Sequence, residues 1–131
     1  MVKDIYEGEN LIAQVYNLKN FSGFGFPTKE ESSLQFGYRH VTEELSIPGH
    51  IHKRVVRELD NTSEFLFVLE GKMTLEIYSE NEEILDQVVL TKNMALLQFY
   101  GGHKIDLDPA TKFFEIKQGP YFDKGSDKYE L

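Results

Sequence analysis

Residues 64–78 read EFLFVLEGKMTLEIY, and this stretch decides the fold class. Its first half, Glu64–Glu70, holds five consecutive apolar residues, which is typical of a short strand buried on both faces. Gly71 marks a tight turn, and residues 73–78 then alternate apolar and polar side chains with the period of two that a β-strand has. The stretch therefore predicts two strands joined by a short turn.

The same pattern continues along the chain. Further strands are predicted, separated by polar or glycine-containing turns, at Ile84–Leu90, Met94–Tyr100, His103–Leu107 and Phe113–Lys117. Strands this short, spaced by about 8–12 residues, indicate an all-β sandwich or barrel. Helical signals are weak and fall within Asp4–Leu18. Residues 20–33 are loop-like, and we expect their phenylalanines to pack against the body: Phe21, Phe24 and Phe26.

Length and charge restrict the class of protein. The chain has 131 residues, 40% of them apolar, which suits a single domain. Its 14 Lys and Arg against 22 Asp and Glu give a net charge of −8, which argues against a general nucleic-acid binder and against binding to anionic membranes. No cysteine is present, so disulfides, thiolate ligands and cysteine nucleophiles are excluded. The sequence contains no signal peptide or membrane-spanning run, and we expect a cytoplasmic protein.

Histidines supply the strongest chemical signal. His50 and His52 flank Ile51, and on a strand residues i and i+2 face the same side, so their imidazoles can converge on one ion. Glu64 opens the buried strand, and His103 follows a pair of glycines at the start of a later strand. Three histidines and one glutamate suit a divalent transition metal with open coordination positions. The fourth histidine, His40, is interpreted as structural.

These residues resemble the motifs of the cupin superfamily. Its members fold as small jelly-roll barrels. The first motif is similar to His50-Ile51-His52 followed by Glu64, six residues and Gly71, and the second to His103 after its glycine turn. Eleven residues separate His52 from Glu64, where the family usually has three or four, which implies an inserted loop. The resemblance implies a single domain over residues 1–131, with a double-stranded β-helix barrel core over about residues 34–118. An N-terminal arm (residues 1–33) and an acidic C-terminal tail (residues 122–131) flank that core.

The resemblance also implies a function. Metal-binding cupins use the four matching positions as ligands, here His50, His52, Glu64 and His103. The bound ion would be one of Zn, Ni, Fe, Mn, Co or Cu, and the protein would be a metal-dependent isomerase, dioxygenase or lyase acting on a sugar or carboxylate-type metabolite. Three further side chains are candidates to orient this small-molecule ligand: Arg57, Gln98 and Lys117.

Two alternatives remain open at this point. Gly49–Lys53 is similar to a segment of cupin sugar-nucleotide isomerases, in which two histidines transfer protons without a metal, and Tyr38 or Tyr100 would then be the acid. The other alternative is a non-catalytic ligand-binding cupin. We also expect a homodimer, formed through the apolar segment Leu11–Tyr16 and the loop phenylalanines.

Overall fold

The computed structural model describes residues 2–131 and shows an all-β protein. Within that range it has ten strands, one 3-10 helix at Leu18–Asn20 and one short helix, α1, at Lys124–Asp127. The strands are β1 (Lys3–Glu7), β2 (Asn10–Asn17), β3 (Gly23–Gly25), β4 (Tyr38–His40), β5 (Glu64–Glu70), β6 (Lys72–Tyr78), β7 (Ile84–Thr91), β8 (Met94–Gln98), β9 (Gly102–Leu107) and β10 (Lys112–Lys117). Each strand predicted from Glu64 onward is present, although β8 ends at Gln98 rather than Tyr100.

In the described part of the chain these strands form three antiparallel sheets. The larger sheet has the order β1-β2-β8-β5-β10, the second has the order β7-β6-β9, and β3 pairs with β4 alone. Apolar side chains from the two larger sheets share one core, so these sheets pack face to face as a sandwich. The core residues are Ile5, Ile12, Ala13, Val15, Leu66, Val68, Met73, Leu75, Ile77, Val88, Leu90 and Leu96.

The alternation in β6 explains how the core is filled. Met73, Leu75 and Ile77 are completely buried, and the polar residues between them point away from the core. In β5 both faces are covered, as predicted: Leu66 and Val68 face the core, and the other face packs beneath the loop of residues 21–36.

That loop forms an aromatic cluster on the outer face of the larger sheet. Phe36 lies 5.1 Å from Tyr16 and stacks on Phe65, also at 5.1 Å between ring centroids. Phe21 packs on the same cluster, as expected. Phe24 and Phe26 were expected to pack against the body, but they contact each other and remain exposed.

Residues 3–17, within the segment expected to be an arm, form β1 and β2 of the larger sheet. The helical interpretation of Asp4–Leu18 is therefore wrong, and Gly8, with a φ of 59°, reverses the chain between the two strands. Because β2 pairs with β1 on one edge and β8 on the other, Leu11–Tyr16 has no free edge to offer a second copy. Pairing through a free edge of β2 is therefore excluded in this structure, whereas exchange of this segment between copies, and the dimer itself, stay predictions.

The two sheets meet along one long side of the sandwich but not along the other. On one side β1 and β7 meet, Ile5 and Val88 are buried between the sheets, and Lys3 forms an ion pair with Asp86 at 2.6 Å. On the other side β9 and β10 are edge strands, and Leu107 of β9, which should face the core, is 49% exposed. The sandwich is therefore closed along one side and open along the other.

Residues 41–63 connect β4 to β5 without a strand. Every residue from Arg39 to Asp60 is exposed. The prediction that His50 and His52 lie on a strand is wrong for this conformation, because within residues 2–131 no strand pairs with their segment. Within residues 2–131, no helix has the length and apolar character needed to cross a membrane.

Candidate functional site

Three polar side chains meet at one end of the sandwich interior. Glu64 begins β5 and shares its inward face with Leu66 and Val68. Gln98 ends β8 directly opposite Glu64 in the strand register, and His103 lies on the inward face of β9. Three strands from both sheets thus bring these residues together.

His103 contacts both of the other residues through its two ring nitrogens. Its Nε2 lies 3.3 Å from Oε2 of Glu64, and its Nδ1 lies 2.7 Å from Oε1 of Gln98. All three residues are largely buried, Gln98 most of all at 4% exposed. The imidazole is therefore held between a carboxyl group and an amide.

The amide of Gln98 determines which ring nitrogen carries the proton. Its Nε2 donates hydrogen bonds to the backbone carbonyls of Tyr100 at 2.9 Å and Gly102 at 3.0 Å. Oε1 of Gln98 must then face His103 as an acceptor, so Nδ1 of His103 is the donor. In the neutral imidazole the lone pair of Nε2 consequently points toward Glu64.

Burial shifts both titratable groups toward their neutral forms. It raises the pKa of the Glu64 carboxyl group, with the charge of Glu115 adding to the effect and Lys117 opposing it. It lowers the pKa of His103, against the opposing effect of Glu115.

Oε2 of Glu64 is buried, and although Nε2 of His103 is within ion-pair distance, their alignment does not make a hydrogen bond. Among the residues that the structure describes, Oε2 has no other hydrogen-bond partner. Two buried acceptors that face each other in this way are unfavourable unless a proton or a cation lies between them. The arrangement is therefore suited either to holding a cation or to transferring a proton.

The site opens into a cleft of about 840 Å³. Glu64, Gln98 and His103 lie on its floor, and Tyr100 lies on its wall. Another wall comes from α1 and the C-terminal residues, which Asp127 ties to the sheet through a 2.8 Å hydrogen bond from Lys117. The lining of the cleft also carries five carboxylates and two lysines, at Asp60, Glu80, Glu82, Lys104, Asp127, Lys128 and Glu130.

His50 and His52 do not lie in this cleft. Their rings contact each other at 5.1 Å between centroids, and Nδ1 of His50 lies 2.9 Å from the carbonyl oxygen of Pro48. Throughout residues 2–131, no three His, Cys, Asp or Glu side chains are gathered as a metal site would require. The four predicted ligands are thus present as two pairs, one buried in the sandwich and one on the exposed segment.

The other candidate residues have different surroundings. Arg57 lines a separate cleft of about 530 Å³, beside Glu30, Glu31 and Glu58. Tyr38 stacks on Phe21 at 4.2 Å, in the aromatic region rather than the main cleft. Lys117 is held by Asp127 and by the ring of Tyr121, 5.0 Å away.

Two features of the site were missed. The orienting role of Gln98 is visible only once its partners are known, although a glutamine at an inward position of an apolar strand was a usable signal. The C-terminal wall, including Lys128, carries no pattern that would have placed it at the cleft.

Comparisons of the chain with protein-family models, with curated proteins and with solved structures found no match.

Proposed function

We propose that this chain is a cupin-type jelly-roll protein that binds one divalent metal ion and acts on a polar small molecule in the main cleft. The single observation that carries the proposal is the unpartnered, buried Oε2 of Glu64, facing the lone pair of Nε2 of His103 at 3.3 Å. A carboxylate oxygen and an imidazole nitrogen are both good ligands for Mn, Fe, Co, Ni, Cu or Zn.

The surroundings of His103 support the metal assignment. Metal-ligating histidines usually donate their other ring N–H to a neighbouring acceptor, which fixes the tautomer and the ring orientation. Gln98 accepts such a hydrogen bond from His103 and is itself held by two carbonyl groups. Glu64 and His103 therefore fit the role of ligands, and His50 and His52 are the proposed remaining ones.

The metal would polarise a carbonyl or carboxylate oxygen of the substrate, or activate water or dioxygen. The chain's own residues would bind and orient the substrate. Tyr100 and Lys104 line the cleft, and its many polar and charged side chains suit a sugar better than an apolar molecule, with Lys104 and Lys128 as the groups that could bind a substrate carboxylate. Gln98 would position His103 rather than bind substrate, since both groups of its amide are already engaged.

A second candidate function is metal-independent proton transfer by the same pair. The raised pKa of Glu64 and the lowered pKa of His103 favour the neutral forms, in which the acid can give a proton to the imidazole. Sugar-nucleotide isomerases are one class that uses such chemistry. Metal binding separates this candidate from the first.

The test is metal stoichiometry by equilibrium dialysis and elemental mass spectrometry, using protein purified without a metal-binding tag. We expect about one equivalent of Mn, Fe, Ni or Zn in the wild type, and loss of that ion in Glu64→Gln and His103→Ala. The matched control is His40→Ala, which removes a histidine on β4 outside the cleft and should retain the ion. A wild type that binds none of these metals contradicts the first function and leaves proton transfer as the candidate.

A further inference from the structure

The exposed segment between β4 and β5 carries side chains that are unfavourable in water. It contains seven large aliphatic residues that are all exposed, two of them almost completely: Val41, Leu45, Ile47, Ile51 (93%), Val55, Val56 (92%) and Leu59. In the described chain, no backbone group of residues 41–62 takes part in a backbone–backbone hydrogen bond. Seven exposed large aliphatic side chains on one connecting segment are more than a solvated loop usually carries, which points to a surface that another element covers.

The body of the protein offers a matching edge. In the part of the chain that the structure describes, β9 pairs with β6 on one side and with no strand on the other. The sheet that contains β9 has three strands and faces a sheet of five, so the inner face at β10 is left without an opposing strand. Exposed Leu107 lies beside this gap, and a strand added to β9 would cover it.

Charge favours this segment as the added strand. Residues 49–57 carry Lys53, Arg54 and Arg57 and no acidic residue, although the whole chain has a net charge of −8. At the accepting edge Asp106 and Asp108 are paired with Lys104 and Lys72, whereas Glu115 on the inner face of β10 has no ion pair in the described chain. Because residues 49–57 carry +3 and the whole chain −8, the remaining residues carry −11, and this excess of acidic groups attracts the basic segment.

We propose that residues 49–57 of each chain add as a strand to the free edge of β9 in a second copy, which places His50 and His52 beside Glu64 and His103 of that copy. Every residue of the segment is exposed, as an exchanged element is before its partner is present, and only at its end does Arg57 border the cleft beside Glu30 and Glu31. Since residues i and i+2 of a strand share a face, both histidines turn inward together, on the same side as His103. The metal part of this inference rests on the proposed function, whereas the strand exchange does not.

Engineered disulfides test the exchange, because the chain has no cysteine of its own. With His50 and His52 inward, the odd-numbered residues of the segment face the same side as Asp106. Asp106→Cys is therefore combined in turn with Ile51→Cys, Lys53→Cys and Val55→Cys. The three pairs cover the three registers in which one of these residues would lie opposite Asp106. We expect at least one pair to give a disulfide-linked dimer on a non-reducing gel. The control pair Lys92→Cys with Asp106→Cys, whose first position lies at the β7–β8 turn, should not. A disulfide within one chain, or none in any of the three pairs, overturns the proposal.

A proline variant tests the same contact by sedimentation. Proline has no N–H to donate to a neighbouring strand, and within the described chain the N–H of Val55 makes no hydrogen bond to a backbone carbonyl that the substitution would remove. We expect the wild type to sediment as a dimer and Val55→Pro to dissociate at least ten times more readily, with unchanged circular dichroism. A monomeric wild type contradicts the exchange.

Complementation then shows whether the histidines are supplied by the second copy. His103→Ala is coexpressed with the double variant His50→Ala/His52→Ala, under two different tags that do not bind metal, and the mixed dimer is isolated. Exchange predicts one intact site, and so half of the wild-type metal content, while each variant alone binds none. No recovery in the mixed dimer overturns supply by the second copy. If the wild type itself binds no metal, the proposed function fails and the disulfide test still decides the exchange.

Discussion

Gln98 and His103 are joined by a 2.7 Å hydrogen bond that determines which imidazole nitrogen faces Glu64. The bond is directional because the amide nitrogen of Gln98 is committed to two backbone carbonyls. This amide thus orients a proposed ligand without being a ligand itself.

Replacing Gln98 by leucine removes this orientation. We expect Gln98→Leu to weaken metal binding by about tenfold to a hundredfold, because His103 can then rotate or change tautomer. Isothermal titration with Zn²⁺ or Mn²⁺ measures the change, and His40→Ala is the control for altered histidine content. Unchanged affinity, in a variant whose melting temperature shows it to be folded, would contradict the role given to Gln98.

Glu64 is expected to lower the stability of the metal-free protein. Its buried Oε2 has no hydrogen-bond partner within residues 2–131, whereas the amide of Glu64→Gln can donate to Nε2 of His103. We expect this variant to be more stable than the wild type by about 1–2 kcal/mol in urea unfolding with a chelator present.

The control for that measurement is Glu115→Gln, which removes a carboxylate that is exposed on β10 and should change the free energy of unfolding by less than about 0.5 kcal/mol. A Glu64→Gln variant less stable than the wild type would show that the carboxylate is satisfied in the folded protein.

The strands from β5 onward could be predicted from sequence, whereas β1 to β4 and the connection between β4 and β5 could not. In β6, alternation is a local property of Met73, Leu75 and Ile77, and it is the same whichever strand lies beside it. Ile51 and Val55 also lie in a strand-like sequence, but the residues of such a segment do not determine the strand edge with which it pairs. Local pattern gives the tendency to form a strand, whereas topology decides whether that strand is paired.

In the candidate site, too, part of the arrangement could be predicted from the sequence and part depends on the fold. Glu64 and His103 were grouped from motif spacing, and the structure brings them to 3.3 Å of each other. Gln98 was interpreted as a candidate to orient the substrate, and its pairing with His103 was not foreseen. It is in fact 4% exposed, and its contacts depend on the turn at Gly101 and Gly102.

Gly101 is expected to be essential for the turn that leads into β9. Its φ of 77° is a left-handed conformation, and a Cβ added there would collide with the carbonyl oxygen of Tyr78. We expect Gly101→Ala to destabilise the protein by at least about 2 kcal/mol and to disturb His103. Thermal unfolding measures the loss. Gly49→Ala is the control, since a Cβ at that position meets no atom. Equal stability of the two variants would contradict the prediction.

Tyr16 should make the protein sensitive to alkali. Burial, together with the charge of Asp4, raises the pKa of Tyr16 to about 12 from the ordinary value of 10.0, and its hydroxyl donates to Oε1 of Gln14 at 2.6 Å. The unfolded chain releases this proton above pH 10 and the folded protein retains it. The neutral Tyr16 hydroxyl therefore adds about 2–3 kcal/mol to the free energy of unfolding below pH 10. This stabilisation is lost between pH 10 and 12. Urea unfolding across this range should show a steeper loss in the wild type than in Tyr16→Phe, and parallel curves would contradict the assignment.

The ion pair between Lys117 and Asp127 joins the C-terminal wall of the cleft to β10. Nζ of Lys117 and Oδ2 of Asp127 lie 2.8 Å apart, and this hydrogen bond raises the pKa of Lys117. Such a pair contributes less than about 1 kcal/mol to global stability, so its loss should act locally. We expect Asp127→Asn to leave the melting temperature nearly unchanged but to accelerate hydrogen exchange in residues 123–131. The control is Glu130→Gln, which breaks the more exposed pair with Lys124. If Asp127→Asn and Glu130→Gln alter exchange equally, the wall is not held by Lys117, and the cleft owes its shape to other contacts of the tail.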